Sequence, residues 1–278
     1  MKTSIVIRTH NHAKLLKRLL RRIFSQKKLK DFEIVVVDSS SKDETVEIAK
    51  RYGCRIININ PKNFSHAYTF NLGAEKSKGK IVLYASVDII PKSEFWAYRL
   101  IKHFKNKKVA GVFGKQEPIK DFNPVEEFKI KKMFPDNRKC EAHFSNASGA
   151  IRKSVWEKNK YDEKTPYKYI GGEDQKWANE VKKQGYKIIY EPKSIAYHSH
   201  KYPLKTRLKG AYVNGLNKKE IQKWNQDVYI EKYNKKELIN YLIKNKKFKA
   251  LIVDFLFFGF LLRIYTLKGK LERNLRNL

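Results

Sequence analysis

The sequence is poor in cysteine and has no long hydrophobic run near its start. Only two cysteines occur among 278 residues, Cys54 and Cys140, and they lie in no Cys-x-x-Cys pattern. Neither a disulfide framework nor a cysteine zinc site is therefore expected, and a reducing cytosol suits the chain. The apolar run in "MKTSIVIRTH" is too short for a signal peptide, so it predicts the first strand of the fold.

Acidic residues are also scarce. Lysine and arginine number 61 against 28 aspartates and glutamates, which gives a formal net charge of +33. This balance favours an anionic partner: nucleic acid, a nucleotide substrate or an anionic membrane surface. Because the lysines are spread along the whole chain, a solvated basic surface without such a partner is the alternative.

The first hundred residues alternate short apolar runs with helical periodicity, which predicts an α/β fold with a mainly parallel sheet. The expected strands are 4–8, 32–38, 55–60 and 80–86, and the expected helices are 13–24, 41–53 and 66–76. Pro91 is expected to stop the fourth strand and open a helix. Thr9, Asp38 and Asp88 each follow a strand, which predicts that they share the ligand-binding rim of the sheet.

The middle of the chain is less regular. The patterns predict a strand at 109–118, a helix at 123–133, a mobile loop at 134–144, a strand running into a short helix at 145–158, a helix at 171–184, and two short strands at 186–192 and 194–200. These elements extend the α/β pattern to about residue 205.

The tail, residues 206–278, is predicted to be a separate basic and helical region. Its apolar block, residues 250–262, is broken only by Asp254 and Gly259. As a helix the block is about 20 Å long, short of the roughly 30 Å hydrocarbon core. Flanking lysines favour a helix lying on an anionic leaflet. The alternative is a buried helix packed on the main domain, residues 1–205, or on a second subunit, which leaves a homo-oligomer open.

Five short motifs follow one another along the chain: "RTHN", "VVVDSSSKDET", "SVD", "GGEDQKWA" and "AYHSH". Together they resemble the inverting family 2 glycosyltransferases with the GT-A fold, from about Thr3 to Tyr202. The segment "FSHAYTFNLGAEKSKGKIVLYASVDIIP" is most similar to the rhamnosyltransferase-like branch. The resemblance implies a Rossmann-like, mainly parallel sheet flanked by helices, followed here by a C-terminal helical appendage.

The resemblance also implies an activity. A sugar would move from a UDP- or dTDP-activated donor to a hydroxyl of a glycan or lipid-linked acceptor, in polysaccharide biosynthesis at the inner face of the cell membrane. Charge growing on the leaving diphosphate calls for a divalent cation, Mn²⁺ or Mg²⁺, and the attacking hydroxyl calls for a base. A nucleotide-sugar donor is then the expected anionic partner, and nucleic acid is not.

The "GGEDQKWA" motif carries the implied base. By resemblance Asp174 is the catalytic base and Glu173 an acceptor-binding residue. Both acids fall in the first turn of a predicted helix, where the helix dipole stabilises negative charge. The alternative is that both acids only stabilise the helix through their interaction with its dipole.

The implied metal ligands are Asp88, His198 and His200. Asp88 matches the last acid of the family's Asp-x-Asp motif, and Ser86 stands where many relatives carry the first. Residues 86 and 88 point the same way on an extended strand, as do 198 and 200.

The implied donor-binding residues come from the loops after the strands and from the third helix. They are Thr9, His10, Asp38, His66, Asn71 and Ser86. The chain departs from the branch at Phe70, where many relatives carry arginine.

The sequence leaves two further functions open. Ser86 and Phe70 would suit a non-catalytic relative that binds sugar nucleotides. The net charge and the many tyrosines and phenylalanines would suit a basic nucleic-acid-binding protein.

Overall fold

The computed structural model describes residues 2–119, 123–137, 144–163, 172–198, 212, 235–247 and 258–276. The chain divides into two units, one formed by Met1–Glu117 and Met133–Ser199, the other by Pro118–Lys132 and His200–Leu278. The domain boundary predicted after residue 205 lies outside the described residues, as does most of the predicted loop at 134–144.

One sheet forms the centre of the first unit. Its strands are β1 (Thr3–Thr9), β2 (Phe32–Asp38), β3 (Arg55–Asn58), β4 (Ile81–Ser86), β5 (Ile90–Pro91), β6 (Val109–Glu117), β7 (Ser148–Arg152) and β8 (Lys187–Tyr197). Their order is β3-β2-β1-β4-β7-β6-β8-β5. Strands β3, β2, β1 and β4 are parallel, as predicted. Beyond β4 the sheet becomes mixed, because β7 runs antiparallel to both of its neighbours.

The helices follow the predicted alternation. They are α1 (Ala13–Phe24), α2 (Thr45–Arg51), α3 (His66–Lys76), α4 (Trp96–Ile101), α5 (Pro124–Met133), α6 (Lys153–Trp156), α7 (Glu173–Lys183), α8 (Lys235–Lys244) and α9 (Phe258–Arg276). The bounds predicted for α1 and α3 are confirmed to the residue. The shorter α2 begins only at Thr45, because Asp43 uses its carboxylate to bind the Thr45 amide in a turn.

Apolar periodicity explains how the helices pack on the sheet. In α1 the side chains of Leu16, Leu19, Leu20 and Ile23 are buried, at the three- and four-residue spacing of one helical face. Each fully buried side chain of this kind contributes about 1.5–3 kcal/mol. On the opposite side of the sheet α3 lies close to β1, since a Cβ at Gly73 would be 2.4 Å from Val6 Cγ1. Gly73 thus lets the second half of α3 pack closely against the middle of β1.

Two predicted elements are wrong. Pro91 does not open a helix: it pairs with Ala196 in β5, and α4 begins at Trp96. The two short strands predicted near the end of the unit are one strand, β8, because an irregularity in its pairing with β6 absorbs residues 192–194. Pro192 lacks an amide hydrogen, so the sheet tolerates it where the ladder is interrupted.

The same irregularity buries a charge. The Glu191 carboxylate is almost fully buried and lies 2.8 Å from His103 Nε2 and 2.9 Å from Lys102 Nζ. Burial by itself raises the pKa of Glu191, but hydrogen bonds from His103, Lys102 and the Lys193 amide outweigh it and lower the pKa to about 2. The carboxylate therefore stabilises the fold in its ionised form.

The second unit is helical in its described residues. Val125 and Phe128 of α5 pack against Leu238 and Leu242 of α8. No described helix is both long enough and apolar enough to span a membrane. Of the apolar block predicted at 250–262, residues 250–257 lie outside the described part, and the rest forms the start of α9.

We predict that Glu191→Gln lowers the free energy of unfolding by about 2 kcal/mol at pH 7. Because the pKa of Glu191 is lower in the folded state, its contribution is complete above about pH 4.5 and is lost as the pH falls towards 2. The difference from wild type, measured by urea unfolding, should shrink steadily from pH 7 to pH 3.

The matched control is Glu94→Gln, whose ion pair with Lys27 is exposed. Its effect should stay below about 1 kcal/mol. A deficit of Glu191→Gln that is the same at both ends of the pH range would contradict the assigned role of the charge.

Candidate active site

The carboxyl ends of the parallel strands lie side by side. Thr9 of β1 is paired with Asp38 of β2, and Arg8 of β1 with Ser86 of β4. Ligands of open α/β sheets bind at this edge. The register thus brings the predicted donor-binding residues of three strands to one edge.

Asp38 is buried and shapes the loop after β2. Its carboxylate accepts hydrogen bonds from the Ser41 amide at 2.7 Å and from the Ser41 hydroxyl at 2.5 Å. His10 Nδ1 lies 2.7 Å from the Ser39 carbonyl, which ties the first loop to the second. Thr9 Oγ1 is buried without a hydrogen-bond partner. The roles of these residues in nucleoside binding stay predictions.

Asp88 lies next to two predicted site residues. Ser86 Oγ donates a hydrogen bond to Asp88 Oδ1 at 2.5 Å, and His198 Nε2 lies 3.6 Å from the same oxygen. Ser86 therefore holds the carboxylate that follows it. His200 lies outside the described residues.

Gln116, which the sequence motifs missed, fixes the orientation of His198. Its Oε1 accepts a hydrogen bond from His198 Nδ1 at 2.7 Å, while its Nε2 donates to Ser145 Oγ at 2.9 Å. An amide oxygen can only accept, so Nδ1 carries a proton and Nε2 is directed towards Asp88. A proton on Nδ1 is what a neutral imidazole that binds a metal through Nε2 requires.

The chemistry of this pair fits a divalent cation. No group of three or more His, Cys, Asp or Glu side chains with metal-binding geometry occurs in the described part of the chain. One carboxylate and one imidazole are nevertheless sufficient protein ligands where diphosphate oxygens and waters complete the shell, as is usual for Mg²⁺. Asp88 and His198 are the residues that would hold the ion.

Asp174 lies at the start of α7, after Gly172 in the left-handed conformation with φ of 105°. Its carboxylate accepts hydrogen bonds from the amides of Asn146 at 3.0 Å and Gln175 at 2.9 Å. The carbonyl of Ala147 in turn accepts the Ser86 amide at 2.9 Å. Residues 145–147, called here the junction segment, therefore contact both the β4 end and Asp174.

Burial sets the electrostatics of the acidic pair. Burial and the charge of Asp174 raise the pKa of Glu173 to about 8, and Glu173 Oε2 is buried without a hydrogen-bond partner. Burial also raises the pKa of Asp174, opposed by the Asn146 and Gln175 amides. The Arg8 guanidinium lowers the pKa of both acids. Burial therefore favours the protonated form of both acids, and at Glu173 it does so at neutral pH.

Arg8 is a second residue that the sequence analysis missed. Its Nη1 lies 2.6 Å from His66 Nδ1, and its Cζ lies 4.4 Å from the centre of the Phe70 ring. Phe70 is the residue at which the resemblance led us to expect arginine, and the Arg8 guanidinium lies over its ring from β1. The period-two alternation that puts Arg8 on the α3 face of β1 together with Val6 was the available signal.

Asn71 is engaged entirely within the protein. Its Oδ1 accepts hydrogen bonds from Trp156 Nε1 and the Tyr161 amide, both at 3.0 Å. Its Nδ2 donates to the Tyr161 carbonyl at 2.8 Å and to Glu163 Oε1 at 2.6 Å. Direct donor binding by Asn71 stays a prediction, and it would require one of these bonds to break.

Comparison with known proteins identifies the family. The profile of glycosyl transferase family 2 matches residues 4–163, more than half of the chain. The chain belongs to glycosyl transferase family 2. It is 30% identical over 217 residues to the O-antigen chain rhamnosyltransferase RfbN of Salmonella typhimurium, covering 73% of this chain and 68% of the relative. The O-antigen chain rhamnosyltransferase WbaN of Salmonella anatum is 33% identical over 184 residues, covering 61% and 57%.

Solved structures show the fold of this family 2 glycosyltransferase. The mannosyltransferase PcManGT of Pyrobaculum calidifontis, solved with GDP-Man and Mn²⁺, has a TM-score of 0.62 at 15% identity, covering 99% of this chain and 88% of that one. TarS of S. aureus in complex with UDP-GlcNAc has a TM-score of 0.56 at 18% identity, covering 78% and 67%. The predicted GT-A fold is confirmed, and so is the prediction of a glycosyltransferase of the rhamnosyltransferase-like branch.

Proposed function

We propose that this family 2 enzyme transfers a sugar, with inversion, from a UDP- or dTDP-activated donor to a hydroxyl of a glycan or lipid-linked acceptor. One observation carries the proposal: Asp88 with His198, and Asp174, are all tied to the junction segment within one unit. The O-antigen rhamnosyltransferase relatives favour rhamnose as the sugar and polysaccharide biosynthesis as the setting.

The donor would lie along the carboxyl edge of the parallel strands. The nucleoside end would be lined by Thr9, His10 and Asp38. The diphosphate would face Arg8 of β1 and His66 of α3. A divalent cation, Mn²⁺ or Mg²⁺, bound by Asp88 and His198 would stabilise the negative charge that develops on the leaving diphosphate. Ser86 keeps the Asp88 carboxylate in place through its hydroxyl.

Asp174 is the base in this proposal. It removes the proton of the acceptor hydroxyl while that oxygen forms a bond to the anomeric carbon, and the bond from that carbon to the diphosphate breaks on the opposite face. Its raised pKa suits a base that works near neutral pH. Glu173, with a pKa raised to about 8, keeps its proton at that pH, and the proposal assigns proton acceptance to Asp174. A role of Glu173 in acceptor binding is part of the same proposal.

We predict that Asp174→Asn lowers kcat by at least about 10³-fold and leaves donor binding within about twofold of wild type, since the base acts only on the acceptor. Asp88→Ala should instead weaken donor binding in the presence of Mn²⁺. Nucleoside diphosphate release measures turnover, and the shift of melting temperature with UDP- and dTDP-sugars measures binding.

The matched control is Asp31→Asn, an exposed position in the turn before β2, at the opposite edge of the sheet. It should leave both quantities unchanged. Full turnover by Asp174→Asn would show that Asp174 is not the base. If the wild type releases no nucleoside diphosphate with any acceptor, the protein is instead a non-catalytic relative.

We also propose that the enzyme is cytoplasmic and peripheral on the inner face of the cell membrane, through α9. Large apolar side chains recur at three- and four-residue spacing along α9 and are exposed to solvent: Phe260 (64%), Ile264 (43%), Leu267 (59%) and Leu271 (62%). Arg263 and Lys268 of the same helix are also exposed. An apolar stripe beside basic residues is typical of helices that lie on anionic leaflets.

We predict that Leu267→Glu with Leu271→Glu reduces binding to vesicles containing phosphatidylglycerol at least about tenfold in a sedimentation assay. Wild-type binding should fall with added salt and be weak on phosphatidylcholine, because basic side chains contribute to it. The control is Lys105→Gln with Lys107→Gln, which changes the net charge equally at exposed positions of the first unit. Equal binding by the two double variants would contradict the role of α9.

A further inference from the structure

A chain of hydrogen bonds runs through the interior from α3 to the carboxylate of Asp174. It begins at Asn71, whose side chain binds both the amide and the carbonyl of Tyr161. Trp156 Nε1 donates to the same Asn71 oxygen and fixes its orientation. The side-chain amide of Asn71 therefore fixes both the N–H and the carbonyl of Tyr161.

Tyr161 passes this constraint to the active site. Its hydroxyl donates to Asn146 Oδ1 at 3.0 Å, and the Asn146 amide donates to Asp174 Oδ2 at 3.0 Å. The Tyr161 side chain is buried, with its ring 5.8 Å from that of Trp177 and 5.9 Å from that of Phe70. Packing on both aromatic rings leaves the hydroxyl little freedom to move.

The rest of the junction segment is held independently. Gln116 binds Ser145 Oγ, and the Ser86 amide binds the Ala147 carbonyl. Asn146 contacts the proposed base through its backbone amide, which donates a hydrogen bond to Asp174. The Tyr161 hydroxyl holds the side chain of Asn146, the same residue whose backbone amide binds that carboxylate.

We propose that Tyr161 is a positioning residue for the base, acting through Asn146 on the Asp174 carboxylate. The inference rests on the proposed function of Asp174. A misplacement of about 1 Å in a reacting group is enough to cost about 10²-fold in rate, so a bond that adds little to stability has a large effect on turnover. No motif of the family resemblance includes Tyr161 or Asn146.

The test is Tyr161→Phe, which removes the hydroxyl and keeps the ring. We expect kcat to fall about 10- to 100-fold, with the KM of the nucleotide-sugar donor within about twofold of wild type. Asn146→Ser, whose side chain is too short to reach the Tyr161 hydroxyl, should reproduce this split while retaining the amide that binds Asp174. It also keeps the proposal testable if Tyr161→Phe fails to fold.

The matched control is Tyr190→Phe. Tyr190 is also a buried tyrosine, and its hydroxyl donates to the Pro135 carbonyl at 2.7 Å. It should lose a similar amount of stability, with melting temperatures within about 2–4 °C of those of Tyr161→Phe, and keep the wild-type kcat.

The outcomes separate the two proposals. If Asp174→Asn is inactive but Tyr161→Phe and Asn146→Ser turn over like Tyr190→Phe, the positioning role is wrong and the base stands. If Asp174→Asn is active, the proposed function itself fails. A fall in kcat for Tyr161→Phe and Asn146→Ser alone, at matched stability, supports the inference.

Discussion

The arrangement of the site depends on the junction segment, three residues whose polar groups are bound from three directions. The Ser86 amide reaches it from β4, Gln116 from β6, and the Asp174 carboxylate from α7. A side chain at Gly149 would collide with this segment, because a Cβ there would lie 2.5 Å from the Ser145 carbonyl oxygen. The distance between the proposed metal ligands and the proposed base is therefore set by backbone and buried side chains, which is what a preorganised transfer site needs.

Charge is arranged around this segment in a way that suits the chemistry. At the start of α7 Glu173 is buried and Asp174 partly buried, which raises the pKa of both acids, while Arg8 opposes the effect. The raised pKa of Asp174 suits the group that accepts a proton in the proposed function. On the side of β4, the Ser86 hydroxyl binds the Asp88 carboxylate, which a second acid at that position would repel. A site with few acids suits the anionic donor of the proposed function, as does the net charge of +33.

Local patterns predicted the parallel half of the sheet, the bounds of α1 and α3, and the motif residues at the strand ends. They did not predict that Gln116, Arg8, Tyr161 and Asn146 belong to the site. The hydrogen bonds of these residues join positions 15 to 90 apart in sequence. Local patterns can show the face of a strand on which a residue lies, but not its partner in a distant segment. The mixed half of the sheet was missed for the same reason, because strand direction beyond β4 is decided by pairing between remote segments.

Anomalous diffraction from crystals of the enzyme with Mn²⁺, a nucleoside diphosphate and an acceptor glycan tests the central claim most directly. The account predicts a manganese peak bound by Asp88 and His198, with the acceptor hydroxyl within hydrogen-bond distance of Asp174 on the other side of residues 145–147. A peak held by other side chains, or an acceptor bound away from Asp174, would contradict it.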